Sequence, residues 1–85
     1  MVRSRHKNIL AAIFLRPTSG TIRWRDLENA LVALGANITE GSGSRIRISL
    51  NGQRIVMHRP HPKPNTDKGA IKTLRVFLTK AGVKQ

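Results

Sequence analysis

The dipeptide Asn51-Gly52 constrains this chain more than any other pair of residues. Apolar residues alternate at 46, 48 and 50 before it and at 55 and 57 after it. A two-residue type I′ turn needs positive φ at both central positions, which Asn followed by Gly tolerates best, so the stretch predicts a β-hairpin. The turn also sets a register: Leu50 opposite Gln53, Ser49 opposite Arg54, Ile48 opposite Ile55, Arg47 opposite Val56, Ile46 opposite Met57 and Arg45 opposite His58. Strand side chains alternate between faces. One face is therefore Ile46, Ile48, Leu50, Ile55 and Met57, which needs a cover. The other carries Arg45, Arg47, Arg54 and His58, with Ser49 and Val56 between them.

The cover has to come from the flanks. Upstream, Leu27, Leu31 and Leu34 recur at helical spacing with Ala30 alongside, which predicts a helix from Trp24 to Leu34. Asp26 and Glu28 lie at its positive end and Gly35 suits its C′ position. Trp24 is expected to cap the core rather than to stack on a base. Asn37 to Glu40 makes a short first strand, and Gly41-Ser42-Gly43 a plain turn, matching neither a Walker nor a dinucleotide pattern. Downstream, three prolines make Arg59 to Asn65 a stiff basic loop. Asn65 or Thr66 is expected to N-cap a last helix running to about Ala81, with Asp67 near its positive end. Ile71, Leu74, Phe77, Leu78 and Ala81 form its apolar stripe; Lys68, Lys72, Arg75 and Thr79 form another.

At the start, Met1 to Lys7 is basic and expected to fray. Ile9 to Leu15 is an apolar run that Pro17 stops, so residues 5–16 read as a helical extension with Ile9, Leu10, Ile13 and Phe14 facing inward. The run is too short to span a bilayer, and Arg16-Pro17 stands where a signal peptide would carry small residues. Core packing is the expectation, with no membrane role. The absence of cysteine fits a reducing, cytoplasmic setting. The chain is expected to form one small domain, 1–85, of the α+β class. Its two layers are a three-stranded antiparallel sheet and the two main helices. A winged helix ranks lower, because a strand separates the helix from the hairpin.

Charge narrows the partners. Sixteen Lys and Arg against four acids give +12, which favours a polyanion or an acidic protein. No acid lies between Gly41 and Thr66. Arg45, Arg47, Arg54, Arg59 and Lys63, with the Lys68, Lys72 and Arg75 stripe, are the candidate RNA phosphate contacts. There is no Tyr and only two Phe, so base stacking on the sheet is not expected, and recognition of RNA shape and backbone fits better. His58 and His61 are candidate general acid–base groups for RNA transesterification, since imidazole titrates near neutrality. The plainer reading of each is a surface or structural histidine. No metal site or cofactor is expected, since no Cys or carboxylate accompanies these histidines in sequence.

A helix ending in Leu34-Gly35, a short strand, a Gly-Ser hairpin, a basic His-Pro loop and a helix ending in Ala81-Gly82-Val83 together resemble the HicA family. These are small basic toxins of bacterial toxin–antitoxin systems, and the resemblance covers residues 24–83. It implies a double-stranded-RNA-binding-like fold in α-β-β-β-α order, metal-independent mRNA cleavage without the ribosome, and neutralisation by a HicB-type antitoxin over the active face. The family carries Gly-Ser-His at the start of the second strand, and that His is catalytic. This chain has Gly43-Ser44-Arg45. Arginine stays protonated and cannot act as a base, though it can hold a scissile phosphate. His58, across the ladder from Arg45, is the expected replacement, with His61 of the His-Pro loop as a second candidate. Two other readings stand beside the nuclease: a non-catalytic RNA-binding module of the same fold, and a subunit whose charge serves to meet an acidic protein.

Overall fold

A computed structural model describes residues 4–60 and 64–83. The elements run α1 (Ser4–Ile13), α2 (Trp24–Leu34), β1 (Asn37–Glu40), β2 (Arg45–Leu50), β3 (Gln53–His58) and α3 (Lys68–Lys80). The sheet is antiparallel in the order β1-β2-β3, so β2 is central and β3 is an edge. Asn51 at φ 50° and Gly52 at φ 82° make the I′ turn, and the β2–β3 pairing follows the register read from it, from Leu50 opposite Gln53 to Arg45 opposite His58.

The inner face of the hairpin is covered as its pattern demands. Ile46 and Ile48 are fully buried, together with Leu27 and Leu31 of α2 and Ile71, Leu74 and Leu78 of α3. The result is the two-layer α+β fold in α-β-β-β-α order, preceded by α1. Leu10 and Ile13 of α1 belong to the same apolar cluster. Trp24 is buried at the start of α2, as expected, and its Nε1 donates to Glu28 Oε1 at 2.7 Å.

The two main helices begin side by side. Trp24 N donates to the Pro64 carbonyl (2.9 Å) and Thr66 N to that of Ile22 (2.7 Å), around an Arg23–Asn65 bridge. These bonds explain one correction. Asn65 and Thr66 are held in the bridge, and Thr66 is fully buried, so neither caps α3. Asp67 is the N-cap, its carboxylate accepting from Ala70 N at 2.7 Å. A second correction concerns α1. The helix already starts at Ser4 instead of fraying to Lys7, and Arg5 reaches Asp26 of α2 at 3.4 Å. It ends at Ile13, where tightened bonds from Phe14 to Ala11 and from Leu15 to Ala12 close the last turn ahead of Pro17.

Candidate nucleic-acid interface

The outer face of the sheet holds Asn37 and Thr39 of β1, Arg45, Arg47 and Ser49 of β2, and Arg54, Val56 and His58 of β3. Arg45, Arg47, Arg54, Val56 and His58 are all exposed. Most of this set surrounds a shallow concavity of about 510 Å³, lined by Asn37, Thr39, Arg47, Ser49, Arg54 and Val56 with the edges of Ile48 and Ile55.

Among the described residues, Arg45, Arg47 and Arg54 pair with no acid. The reason is visible in the four acids of the chain. Asp26 meets Arg5, Glu28 and Glu40 meet Arg59, and Asp67 caps α3. All four are thus engaged away from the outer face, whose cations remain unneutralised.

At one end of this face, Arg45 and His58 are register partners, and Ser44 Oγ lies 3.4 Å from His58 Nδ1. The ladder continues one step past the strands, with Arg59 N donating to the Ser44 carbonyl at 2.7 Å, which holds Ser44 beside the His58 backbone. An arginine, a histidine and a hydroxyl therefore sit together at the mouth of the hairpin, on an exposed surface.

The other predicted cations are placed differently. Arg59 points to the helical side, where Nη1 donates to Glu40 Oε1 at 2.6 Å and Nη2 lies 3.4 Å from both oxygens of Glu28. The hydrogen bond to Glu40 raises the Arg59 guanidinium above its ordinary value; partial desolvation opposes the rise and the charge of Glu28 adds to it. Arg75 is also engaged within the chain. Its Nε donates to the Ile13 carbonyl at 2.9 Å, and its Nη2 to the Leu15 carbonyl at 3.0 Å and to Thr18 Oγ1 at 2.9 Å. It closes the C-terminal end of α1, where carbonyls lack helical partners.

Lys68 and Lys72 are exposed and line a second concavity of about 380 Å³ with Arg75, Arg16, Pro17 and Thr18. Arg16 was not among the cations singled out from the sequence. Only the packing of the α1–α2 connection against α3 brings it there, and no local pattern announces that. His61 and Lys63 lie outside the described residues.

Fold and surface together define a small, strongly basic α+β protein with an acid-free cationic sheet face. Comparison with protein-family models takes the assignment further. Residues 24–83 match the family described as HicA toxin of bacterial toxin–antitoxin, a span that runs from the first residue of α2 to just beyond α3. The chain belongs to the HicA toxin family and is the toxin member of a toxin–antitoxin pair. No curated protein and no solved structure matches it. Among the described residues no helix is long and apolar enough to cross a membrane.

Proposed function

We propose that this toxin binds mRNA on the outer face of its sheet, cleaves it at the Arg45–His58 end, and is neutralised by a HicB-type antitoxin that covers that face. It would act in the cytoplasm, where its substrate is. The observation that carries the reading is the pairing of Arg45 with His58 at the end of a cationic face without acids. Arg47 and Arg54 hold phosphates along the concavity, and Lys68 and Lys72 extend the electrostatic footprint around α3. Each such contact releases counterions, so binding weakens steeply with salt.

The chemistry needs no cofactor. His58 accepts the proton of a ribose 2′-OH, and the 2′-oxygen attacks the adjacent phosphorus. The bond from phosphorus to the 5′-oxygen breaks, leaving a 2′,3′-cyclic phosphate and a 5′-hydroxyl that takes its proton from the imidazolium or water. Arg45 N–H groups stabilise the charge that builds on the non-bridging oxygens. A positioned base contributes roughly 10²–10⁴-fold and a lost oxyanion donor costs about 10²–10³-fold. His58→Ala and Arg45→Ala should each slow cleavage of a single-stranded RNA by about 10²-fold or more. Unchanged cleavage in both variants would exclude this site.

One observation favours a second reading. Arg45 stands where the family carries its catalytic His, so the chain could bind RNA without cutting it. That reading expects salt-sensitive RNA binding with neither cleavage nor growth arrest, and the wild-type cleavage assay separates the two.

A further inference from the structure

We propose that the open edge of β3, with the groove between β3 and α3, docks an extended segment of the antitoxin as a fourth strand. The inference rests on the antitoxin covering the outer face, and it names how that partner is held.

The backbone supplies the first argument. Arg59 N bonds to the Ser44 carbonyl, and in an antiparallel ladder bonded pairs alternate. Residues 53, 55, 57 and 59 therefore turn their amides and carbonyls toward β2. Arg54, Val56 and His58 turn theirs outward, where no described strand pairs with them. Three outward positions along a six-residue strand are thus open, with no proline and no bulge in the strand. Natural edges of this length are usually shielded or serve as a template for another strand. The opposite edge, β1, offers only four residues and ends in Glu40, which is bound to Arg59.

The side chains supply the second. Ile55, Thr73, Val76 and Phe77 line a groove of about 330 Å³ beside this edge, flanked by Arg54 and Lys80. Val76 is 54% exposed and Val56, on the adjoining face, 58%. A strand laid along β3 would drop alternate side chains into this groove, so the fitting segment is apolar at every second position. Its remaining positions face the outer side and would meet Arg54, which favours an acid there, while Lys80 stands at the rim of the groove. The same cations, on a chain of net charge +12, oppose a second copy of the toxin in this place. A strand seated here also runs past His58, so docking and closure of the Arg45–His58 end are one event.

The test is hydrogen exchange on the full-length toxin, alone and with its full-length cognate antitoxin. The amides of Arg54, Val56 and His58 should exchange freely in the toxin alone and slow at least tenfold in the complex. Val76→Glu, which puts an acid in the groove, should weaken antitoxin binding at least tenfold and leave RNA binding in place. Val56→Pro, which removes an outward amide without touching the β2 ladder, should likewise weaken antitoxin binding at least tenfold. A complex in which those three amides exchange as they do in the free chain overturns the docking mode while leaving neutralisation standing. Failure of the antitoxin to bind at all overturns both. Protection already present in the free toxin, with the mass of a dimer, would give the edge to a second copy, and protection by RNA alone would give it to nucleic acid; either result overturns the inference.

Discussion

Arg75 offers the sharpest test of how charge is used in this molecule. Its position in the Lys68/Lys72/Arg75 stripe suggests a phosphate contact, but its Nε and Nη2 already donate three hydrogen bonds to the last residue of α1 and the segment after it, at 2.9, 3.0 and 2.9 Å. Hydrogen bonds from a charged group contribute roughly 1.5–3 kcal/mol each when well buried. This guanidinium is only half-buried, so water replaces part of each bond, and about 1 kcal/mol per bond is the better figure. Arg75→Met keeps the aliphatic stem and removes all three, which should cost about 2–3 kcal/mol. For a chain of this size each kcal/mol moves the midpoint by about 4–8 °C, so thermal unfolding should shift down by roughly 10–20 °C. The companion measurement is RNA affinity against salt, made well below that midpoint. Its logarithmic slope should stay where it is for Arg75→Met, whereas Lys72→Ala should leave the melting temperature alone and flatten the slope by about 0.7, one phosphate contact on a single strand. An Arg75→Met protein that melts with the wild type and loses slope would refute the structural assignment.

Three further outcomes follow from the geometry. Arg47→Ala, at the centre of the outer face and paired with no acid, should lower the salt slope by about 0.7 with no change in unfolding. Glu28→Leu strips the acceptor from Trp24 Nε1 and a carboxylate from Arg59; a loss of about 1–3 kcal/mol should appear in urea denaturation followed by the fluorescence of this single Trp, and an unchanged midpoint would show that neither contact carries stability. Gly52→Ala forces a Cβ onto a residue at φ 82°, so it should cost about 1 kcal/mol. Asn51→Ala should cost at least as much, because Asn51 Nδ2 also donates to the Ala81 carbonyl at 2.8 Å; equal stability of both variants with wild type would remove the turn as a determinant of the fold.

What could be read from the sequence was local or periodic. Asn51-Gly52 determines its own φ angles, and once the turn is known the register of six pairs follows, including Arg45 opposite His58. The span of α2 follows from its leucines and from Gly35, which sits at φ 107° behind the helix. The inner face of the sheet follows from alternation alone. What could not be read was the spending of charge at a distance. Arg59 and Glu28 are 31 residues apart, and Arg75 and Ile13 are 62 apart. In sequence each of these arginines is one more cation in a basic stretch. Only the packing of α1 on α3, and the turn of Arg59 toward the helical side, separate the arginines that hold the fold from those that face outward. The N-cap of α3 was displaced for the same kind of reason, since the Arg23–Asn65 bridge claims the residues that local preference would have chosen.

The placement of the four acids reaches beyond stability. Because each is held by a helix end or by an arginine of the same chain, the sheet face keeps the charge of its arginines whole. A polyanion drifting within about a Debye length of it, roughly 8 Å at physiological salt, is attracted before any contact forms. On the function proposed above, RNA and the antitoxin would both be drawn to this face. Which of them captures the toxin first is then a matter of encounter rates and local abundance, so growth arrest would be decided by a race rather than by a comparison of final affinities.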